Sequence, residues 1–131
     1  MSLLKSEARP FNKITDQLIN SWKDEEVTTE WGATCIALLI VLKKTNYTVV
    51  ERSKKGTRFD YWLGDKNGNS LPFNKKTARL EVSGIRKGEE KDIANRVKSK
   101  IDRLKDSKAQ NLPCYVIVVE FSNSISRIKK I

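Results

Sequence analysis

The 131-residue sequence contains no histidine. This absence excludes the Ser-His-Asp and Cys-His catalytic arrangements and every zinc site that includes a histidine ligand. There are only two cysteines, Cys35 and Cys114, and each lies in an apolar run. We expect both to be small core residues in a reducing compartment, rather than a disulfide or a metal clip.

Long hydrophobic runs are also missing. The longest, CIALLIVL at 35–42, has eight residues, whereas a membrane-spanning helix needs about 20. The opening stretch MSLLKSEARP lacks the apolar segment of a signal peptide. We therefore expect a soluble cytoplasmic protein with no membrane partner.

Positive charge is what the sequence has in excess. Lysine and arginine total 26 against 16 aspartates and glutamates, which gives a net charge of +10 and a pI near 9.7. An excess of this size favours a polyanionic partner, through long-range attraction and counterion release. The alternative is a highly soluble surface with no such partner.

The spacing of apolar residues predicts one α/β domain with a mixed central sheet flanked by helices. Residues 1–27 are interpreted as a lead-in with a short amphipathic helix at 14–26, and residues 122–131 as a basic tail. The core, 28–121, is predicted to contain a buried helix at 28–44 capped by Thr28 or Thr29, strands at 47–52, 57–64 and 77–85, a helix at 88–110 and a strand at 114–121. A strand that follows a long helix implies a crossover connection.

Three acidic residues fall inside these predicted elements. Asp60 lies within GTRFDYWLG (56–64), Glu81 within ARLEVSGI (78–85), and Glu30 in the first turn of the buried helix. If the second and third strands form a hairpin, Asp60 and Glu81 lie side by side. Two adjacent carboxylates repel unless a cation separates them, and Mg²⁺ or Mn²⁺ suits such oxygen ligands. The alternatives are solvent-facing acids paired with Arg58 or Arg79, and a Glu30 explained by the helix dipole alone.

This order of elements, with GTRFDYWLG followed by ARLEVSGI, resembles the αβββαβ core of the restriction-endonuclease-like (PD-(D/E)xK) nucleases. In that superfamily an Asp ends the second strand, an acid-x-Lys triplet lies on the third, and many members add a Glu from the first helix. The resemblance, over 28–121, implies that Asp60 takes the Asp position, Glu81 the triplet acid and Glu30 the helix acid. It implies cleavage of nucleic acid, DNA ahead of RNA, with Mg²⁺ or Mn²⁺ held by Asp60 and Glu81.

The triplet departs from the family pattern. It reads Glu81-Val82-Ser83, so Ser83 stands where the superfamily has the lysine that orients or deprotonates the attacking water. In that superfamily the lysine can migrate to a neighbouring element. The candidates are Lys87, which we take as the catalytic one, with Arg79, Arg86 and Lys91.

Other basic residues are candidates for contact with backbone phosphates. Lys54, Lys55 and Arg58 lie at the turn before Asp60, and Arg79 and Arg86 flank the third strand. Lys75 and Lys76 are similarly placed. The lysines of the second helix are expected to form a solvated face, and Tyr61 and Trp62 to belong to the core rather than to a base-stacking surface.

Three functions are consistent with these features. The first is a metal-dependent nuclease, whose small size predicts a homodimer or a larger assembly. The second, for which Ser83 is the main argument, is a catalytically inactive module of the same fold that binds nucleic acid or a partner protein. The third is a protein-interaction factor whose charge serves solubility.

Overall fold

The computed structural model describes residues 22–66, 75–107 and 111–131. Two helices and five strands follow one another along the chain: α1 (Trp22–Lys44), β1 (Tyr47–Arg52), β2 (Tyr61–Asp65), β3 (Ala78–Ile85), α2 (Glu90–Leu104), β4 (Cys114–Glu120) and β5 (Ile125–Lys130). The predicted α/β class is confirmed, and the described elements end in two strands, β4 and β5, rather than one. Neither helix in these ranges is both long and apolar enough to cross a membrane.

The five strands form one mixed sheet in the spatial order β1-β2-β3-β4-β5. Neighbouring strands are antiparallel except β3 and β4, which are parallel over residues 79–85 of β3. The parallel pair follows from the connection, because α2 carries the chain back across one face of the sheet. The predicted crossover is therefore confirmed.

Each face of the sheet is covered by one helix. On one face Ala33, Ile36, Ala37 and Val41 of α1 pack against a set that includes Leu63, Leu80, Val82, Ile117 and Val119. On the other face, Ile93 and Leu104 of α2 pack with Phe59, Cys114, Val116 and Val118. Strand β3 lies between the two layers, and every one of its side chains is buried. Its alternation places Leu80 and Val82 toward α1, and the odd-numbered residues from Arg79 to Ser83 toward α2.

Helix α1 differs from its prediction in two ways. It begins at Trp22, so Thr28 and Thr29 lie inside it and do not cap it, and Thr29 donates its hydroxyl proton to the carbonyl of Glu25 at 2.9 Å. The predicted separate helix at 14–26 merges with α1 from residue 22, because no helix breaker lies between them, and 14–21 lie outside the described residues.

The prediction of a buried helix at 28–44 is correct for one side of the helix only. Only the side with small residues lies on the sheet, whereas Trp31, Cys35, Leu39 and Leu42 are exposed on other sides. Cys35 is therefore not a core residue, although Cys114 is buried as expected. Because a helix stands on one face of a sheet, it can bury only part of its circumference.

Three other predicted elements have different ends. Strand β2 starts at Tyr61, so Asp60 precedes the strand, and α2 is shorter than the predicted 88–110. The tail is not a free extension, since β5 pairs antiparallel with β4 from Ile125 to Lys130. A basic edge strand discourages edge-to-edge pairing with other chains, which accounts for its polar sequence.

Candidate functional site

Asp60 and Glu81 face each other where β2 and β3 begin to separate. The last ladder pair joins Tyr61 to Leu80, so the antiparallel register places Asp60 opposite Glu81, one step further on. Asp60 is close enough to raise the pKa of Glu81, both as a hydrogen-bond partner and as a negative charge. The predicted side-by-side arrangement of these two acids is therefore present.

Asp60 is held in place by the backbone on both sides. Its amide donates to the carbonyl of Leu80 at 2.9 Å, and its own carbonyl accepts from the amide of Ser53 at 2.8 Å. Its side chain accepts a 2.7 Å hydrogen bond at Oδ2 from the amide of Val82. Because β2 no longer accompanies β3 at this point, a carboxylate takes the amide that a strand would otherwise have paired.

Glu30 reaches the same strand edge from α1. Its Oε1 accepts a hydrogen bond from the amide of Gly84 at 3.2 Å. Glycine is needed there, since a Cβ on residue 84 would lie 2.9 Å from the carbonyl oxygen of Thr29. Glu30 lies inside α1 rather than in its first turn, so the helix dipole does not explain its position.

Burial makes Glu81 an unusual acid. Only 3% of the residue is exposed. The pKa of Glu81 is raised to about 9, first by burial, then by its hydrogen bond to Asp60 and by the negative charge of that residue, while the charges of Lys100 and Arg103 act in the opposite direction. Glu81 therefore keeps its proton at neutral pH unless a cation takes the place of that proton.

The three acids line one open cleft of about 580 Å³. Its wall also carries seven basic side chains: Arg52 from the end of β1, Lys54, Lys55 and Arg58 from the loop before β2, and Arg96, Lys100 and Arg103 from α2. Gly56 and Arg58 have positive φ angles of 95° and 71°, so this loop turns sharply beside the cleft. A negative floor inside a positive rim suits a cation together with a phosphate.

The acidic pair fits a hard divalent ion in its chemistry. Mg²⁺ is commonly bound by one or two carboxylates, with water and substrate oxygens completing the shell. Within the described residues no group of three or more Asp, Glu, His or Cys side chains is arranged to hold a metal. A divalent ion in this cleft would be held by Asp60 and Glu81, and Glu30 lies further along the strand edge.

Several predicted residues lie elsewhere. Arg79 is 3% exposed, packs near the ring of Phe59 and donates to the carbonyl of Leu112 at 2.6 Å, so it does not line the cleft. Arg86 forms an ion pair with Glu25, and with Lys87 it lines a second pocket. Lys76 is paired with Glu51 and lies over the ring of Trp62, outside the cleft, and Lys91 and Lys75 are exposed without lining it.

The basic residues of α2 were missed by the sequence analysis, which assigned them to a solvated face. Arg96, Lys100 and Arg103 instead line the cleft. Arg96 donates from Nη1 to the hydroxyl of Ser83 at 2.7 Å, so a guanidinium approaches the position from which the motif lysine is missing. The sequence did carry one signal for them. Each of these basic residues immediately precedes a member of the apolar stripe Val97, Ile101 and Leu104, and so lies beside the buried side of the helix.

Tyr61 and Trp62 are both partly buried and pack against opposite core clusters. Trp62 makes an edge-to-face contact with Phe59, with ring centroids 4.7 Å apart. The expectation that they contribute to the core is confirmed. Tyr61 also lines a third pocket beside the cleft.

Comparisons with protein-family models, with curated proteins and with solved structures gave no match for this chain.

Proposed function

We propose that this protein is a divalent-metal-dependent phosphodiesterase that cleaves nucleic acid, with DNA as the first substrate to test. The observation that carries this function is the contact between Asp60 and Glu81 in the wall of a basic cleft. Two adjacent carboxylates cost stability when both are ionised, and a bound cation removes that cost. A pair of this kind in an open cleft is therefore a candidate functional site. The resemblance to the PD-(D/E)xK nucleases assigns the same two residues to metal binding.

Mg²⁺ or Mn²⁺, when bound by Asp60 and Glu81, would lower the pKa of a coordinated water and offset charge on the phosphate. The chain's own residues supply the rest. The amide of Val82 fixes the Asp60 carboxylate, and Glu30, anchored by Gly84, adds negative charge beside the pair. Lys54, Lys55 and Arg58 attract and orient the phosphate backbone.

Lys100 is the best substitute for the lysine missing at Ser83. Lys100 lines the cleft and its positive charge favours the ionised form of Glu81, whereas Lys87 lines a different pocket. In this assignment Lys100 positions the attacking water or takes its proton, and Arg96, held by Ser83, binds the phosphate.

A catalytically inactive binding module is the second candidate. The observation that favours it is the hydrogen bond between Ser83 and Arg96, which fills the motif position with a side chain that does not deprotonate water. The basic cleft would then serve affinity alone. The homodimer or larger assembly expected from the chain's size stays a prediction.

The decisive experiment measures Mg²⁺- and Mn²⁺-dependent cleavage of labelled single-stranded and duplex DNA and of RNA. We expect Glu81→Gln and Asp60→Asn to lower the rate by at least about 100-fold, because each removes a metal ligand, while DNA binding persists. Glu51→Gln is the matched control, since Glu51 is an exposed acid outside the cleft. If the wild type binds DNA but cleaves none of these substrates with either metal, the binding module is the correct function.

Lys100 is tested in the same assay. Lys100→Met should reduce the cleavage rate by about 10²-fold or more, the usual contribution of a general acid–base group. Lys100→Arg should not restore the wild-type dependence of the cleavage rate on pH, because arginine does not give up its proton. Lys98→Met is the control, because Lys98 is on the same helix but does not line the cleft. If the Lys100 and Lys98 variants cleave at equal rates, the lysine that replaces the motif lysine does not come from α2, and Lys87 is the candidate again.

A further inference from the structure

The third pocket, of about 380 Å³, opens beside the acidic pair and is called the aromatic pocket. It shares Glu30, Arg52, Asp60 and Val82 with the basic cleft. Its remaining wall contains two aromatic residues, Trp31 and Tyr61, with Val27, Thr34 and Glu26. Trp31 directly follows Glu30 on α1 and is 58% exposed. Its large aromatic ring is therefore available beside a charged site, where a flat group could stack on it.

The charges of the two pockets differ in sign. The cleft is lined by seven lysines and arginines, whereas the aromatic pocket has the three carboxylates of Glu26, Glu30 and Asp60 and the single positive charge of Arg52. A phosphate is therefore favoured in the cleft and disfavoured in the aromatic pocket. The aromatic pocket is suited to an uncharged, flat group that is covalently attached to the phosphate in the cleft.

We infer that the aromatic pocket receives one unpaired nucleobase next to the phosphate bound in the cleft, with Trp31 as its stacking surface. Stacking on an aromatic ring is available to every base, because each has a π face. The carboxylate of Glu26 is an acceptor of the kind that binds the amino groups of cytosine or adenine. A base inside a duplex is stacked and paired and does not enter such a pocket, so the substrate is single-stranded or locally opened at this nucleotide.

This inference rests on the proposed function for the placement of the phosphate, but its test is binding. The protein used carries Glu81→Gln, so that no strand is cut during the measurement. Its affinity for a fluorescent DNA single strand of about 20 nucleotides, longer than one binding site, is compared with its affinity for the duplex of the same sequence at one salt concentration.

In this background Trp31→Ala should weaken single-strand binding by about tenfold, within the range of a lost base–aromatic stack, and leave duplex binding within about twofold. Trp31→Phe should restore most of the affinity, because a flat ring remains. The matched control is Leu39→Ala. Leu39 is 57% exposed on the same helix but lines neither pocket. Because Trp31 is exposed, all variants should keep the melting temperature of the parent.

Equal weakening of single-strand and duplex binding by Trp31→Ala, or no weakening of either, would overturn the inference. Cleavage assays on the wild type separate this failure from that of the proposed function. Metal-dependent cleavage with no effect of Trp31→Ala on strand preference leaves the nuclease standing without the base pocket. A Trp31-dependent preference for single strands in a protein that cuts nothing leaves the pocket standing without the nuclease.

Discussion

Two buried glutamates on neighbouring strands have opposite surroundings. Glu81 on β3 is 3% exposed and Glu120 at the end of β4 is fully buried. The strands are parallel and in register, with Glu81 beside Val116 and Glu120 beside Ile85. The two residues therefore share a sheet and a degree of burial, and they differ in what faces the carboxyl group.

Glu120 is surrounded by donors from the turn that follows it. The hydroxyl of Ser122 donates to Oε1 at 2.7 Å, and the amide and side chain of Asn123 donate at 3.0 and 3.1 Å. Burial by itself raises the pKa of Glu120, but these hydrogen bonds outweigh it and bring the pKa below its ordinary value. Glu120 is thus an ionised structural residue that orders the β4–β5 turn.

Glu81 faces another carboxylate instead. Its pKa is raised to about 9, by burial first and then by Asp60. The comparison teaches that burial of an acid does not by itself indicate function. A buried acid whose lone pairs are satisfied by its own turn stabilises the fold, whereas one set against a second acid beside an open cleft is suited to a cation.

The largest effect on stability is expected from Glu120→Ala. This change should lower the free energy of unfolding by about 2 kcal/mol, because it removes the hydrogen bonds that Ser122 and Asn123 donate to a buried carboxylate. Urea denaturation measures the loss, and Glu120→Gln, which keeps an acceptor, should lose less.

The loss of stability in Glu120→Ala should depend on pH, because the pKa of Glu120 is lowered in the folded protein. The stabilisation is complete above the ordinary value of 4.5 and is lost as the pH falls through the lower value of the folded state. The difference between wild type and Glu120→Ala should therefore shrink in acid. A constant difference down to acid unfolding would show that Glu120 is not ionised in the fold.

Glu81→Gln should stabilise the protein, in contrast to Glu120→Ala. The glutamine amide donates to Asp60 at every pH, as the protonated Glu81 does only below its own pKa. A raised pKa means that the wild type loses stability as the pH rises from 4.5 to about 9. Relative to the wild type, the variant should gain free energy of unfolding across that window, on the order of 1 kcal/mol at its upper end. A loss of stability at all pH values would contradict the strain assigned to the acidic pair.

Metal binding should have the smallest effect on stability of these changes. Millimolar Mg²⁺ is expected to raise the melting temperature of the wild type by a few degrees, which corresponds to about 1 kcal/mol at several times the dissociation constant. The rise should grow with pH toward 9, because Glu81 must lose its proton. It should vanish in Glu81→Gln and Asp60→Asn and persist in Glu120→Gln. An equal rise in all four proteins would place the ion elsewhere.

Much of the fold could be predicted from short-range pattern. The continuous apolar run at 114–121 and the alternating residues of 77–85 indicated two central strands, and the spacing of Ile93, Val97, Ile101 and Leu104 indicated α2. Strand β5 was not predicted, because an edge strand with one exposed side carries little hydrophobic signal.

The acidic half of the candidate site was visible in the sequence and the basic half was only partly so. Asp60 and Glu81 stood out because carboxylates are rare inside apolar strands. Arg96, Lys100 and Arg103 were indistinguishable from a solvated face, since their direction depends on how α2 is rotated on the sheet. Trp31 was not predicted to be a site residue either. The apolar residues of α1 extend around the helix, so the sequence does not show which of them face the sheet.

By itself the sequence determined the class of the fold, the alternation that sends Glu81 to the opposite face from Leu80, and the net charge of +10. These are local or additive properties of the chain. Only the tertiary structure decided that β2 begins just after Asp60, opposite Glu81. It also decided that α1 approaches Gly84 closely enough for Glu30 to reach its amide, and that one face of α2 lines the cleft. Each of these depends on contacts between residues far apart along the chain, and no local pattern encodes the rotation or docking of one element on another.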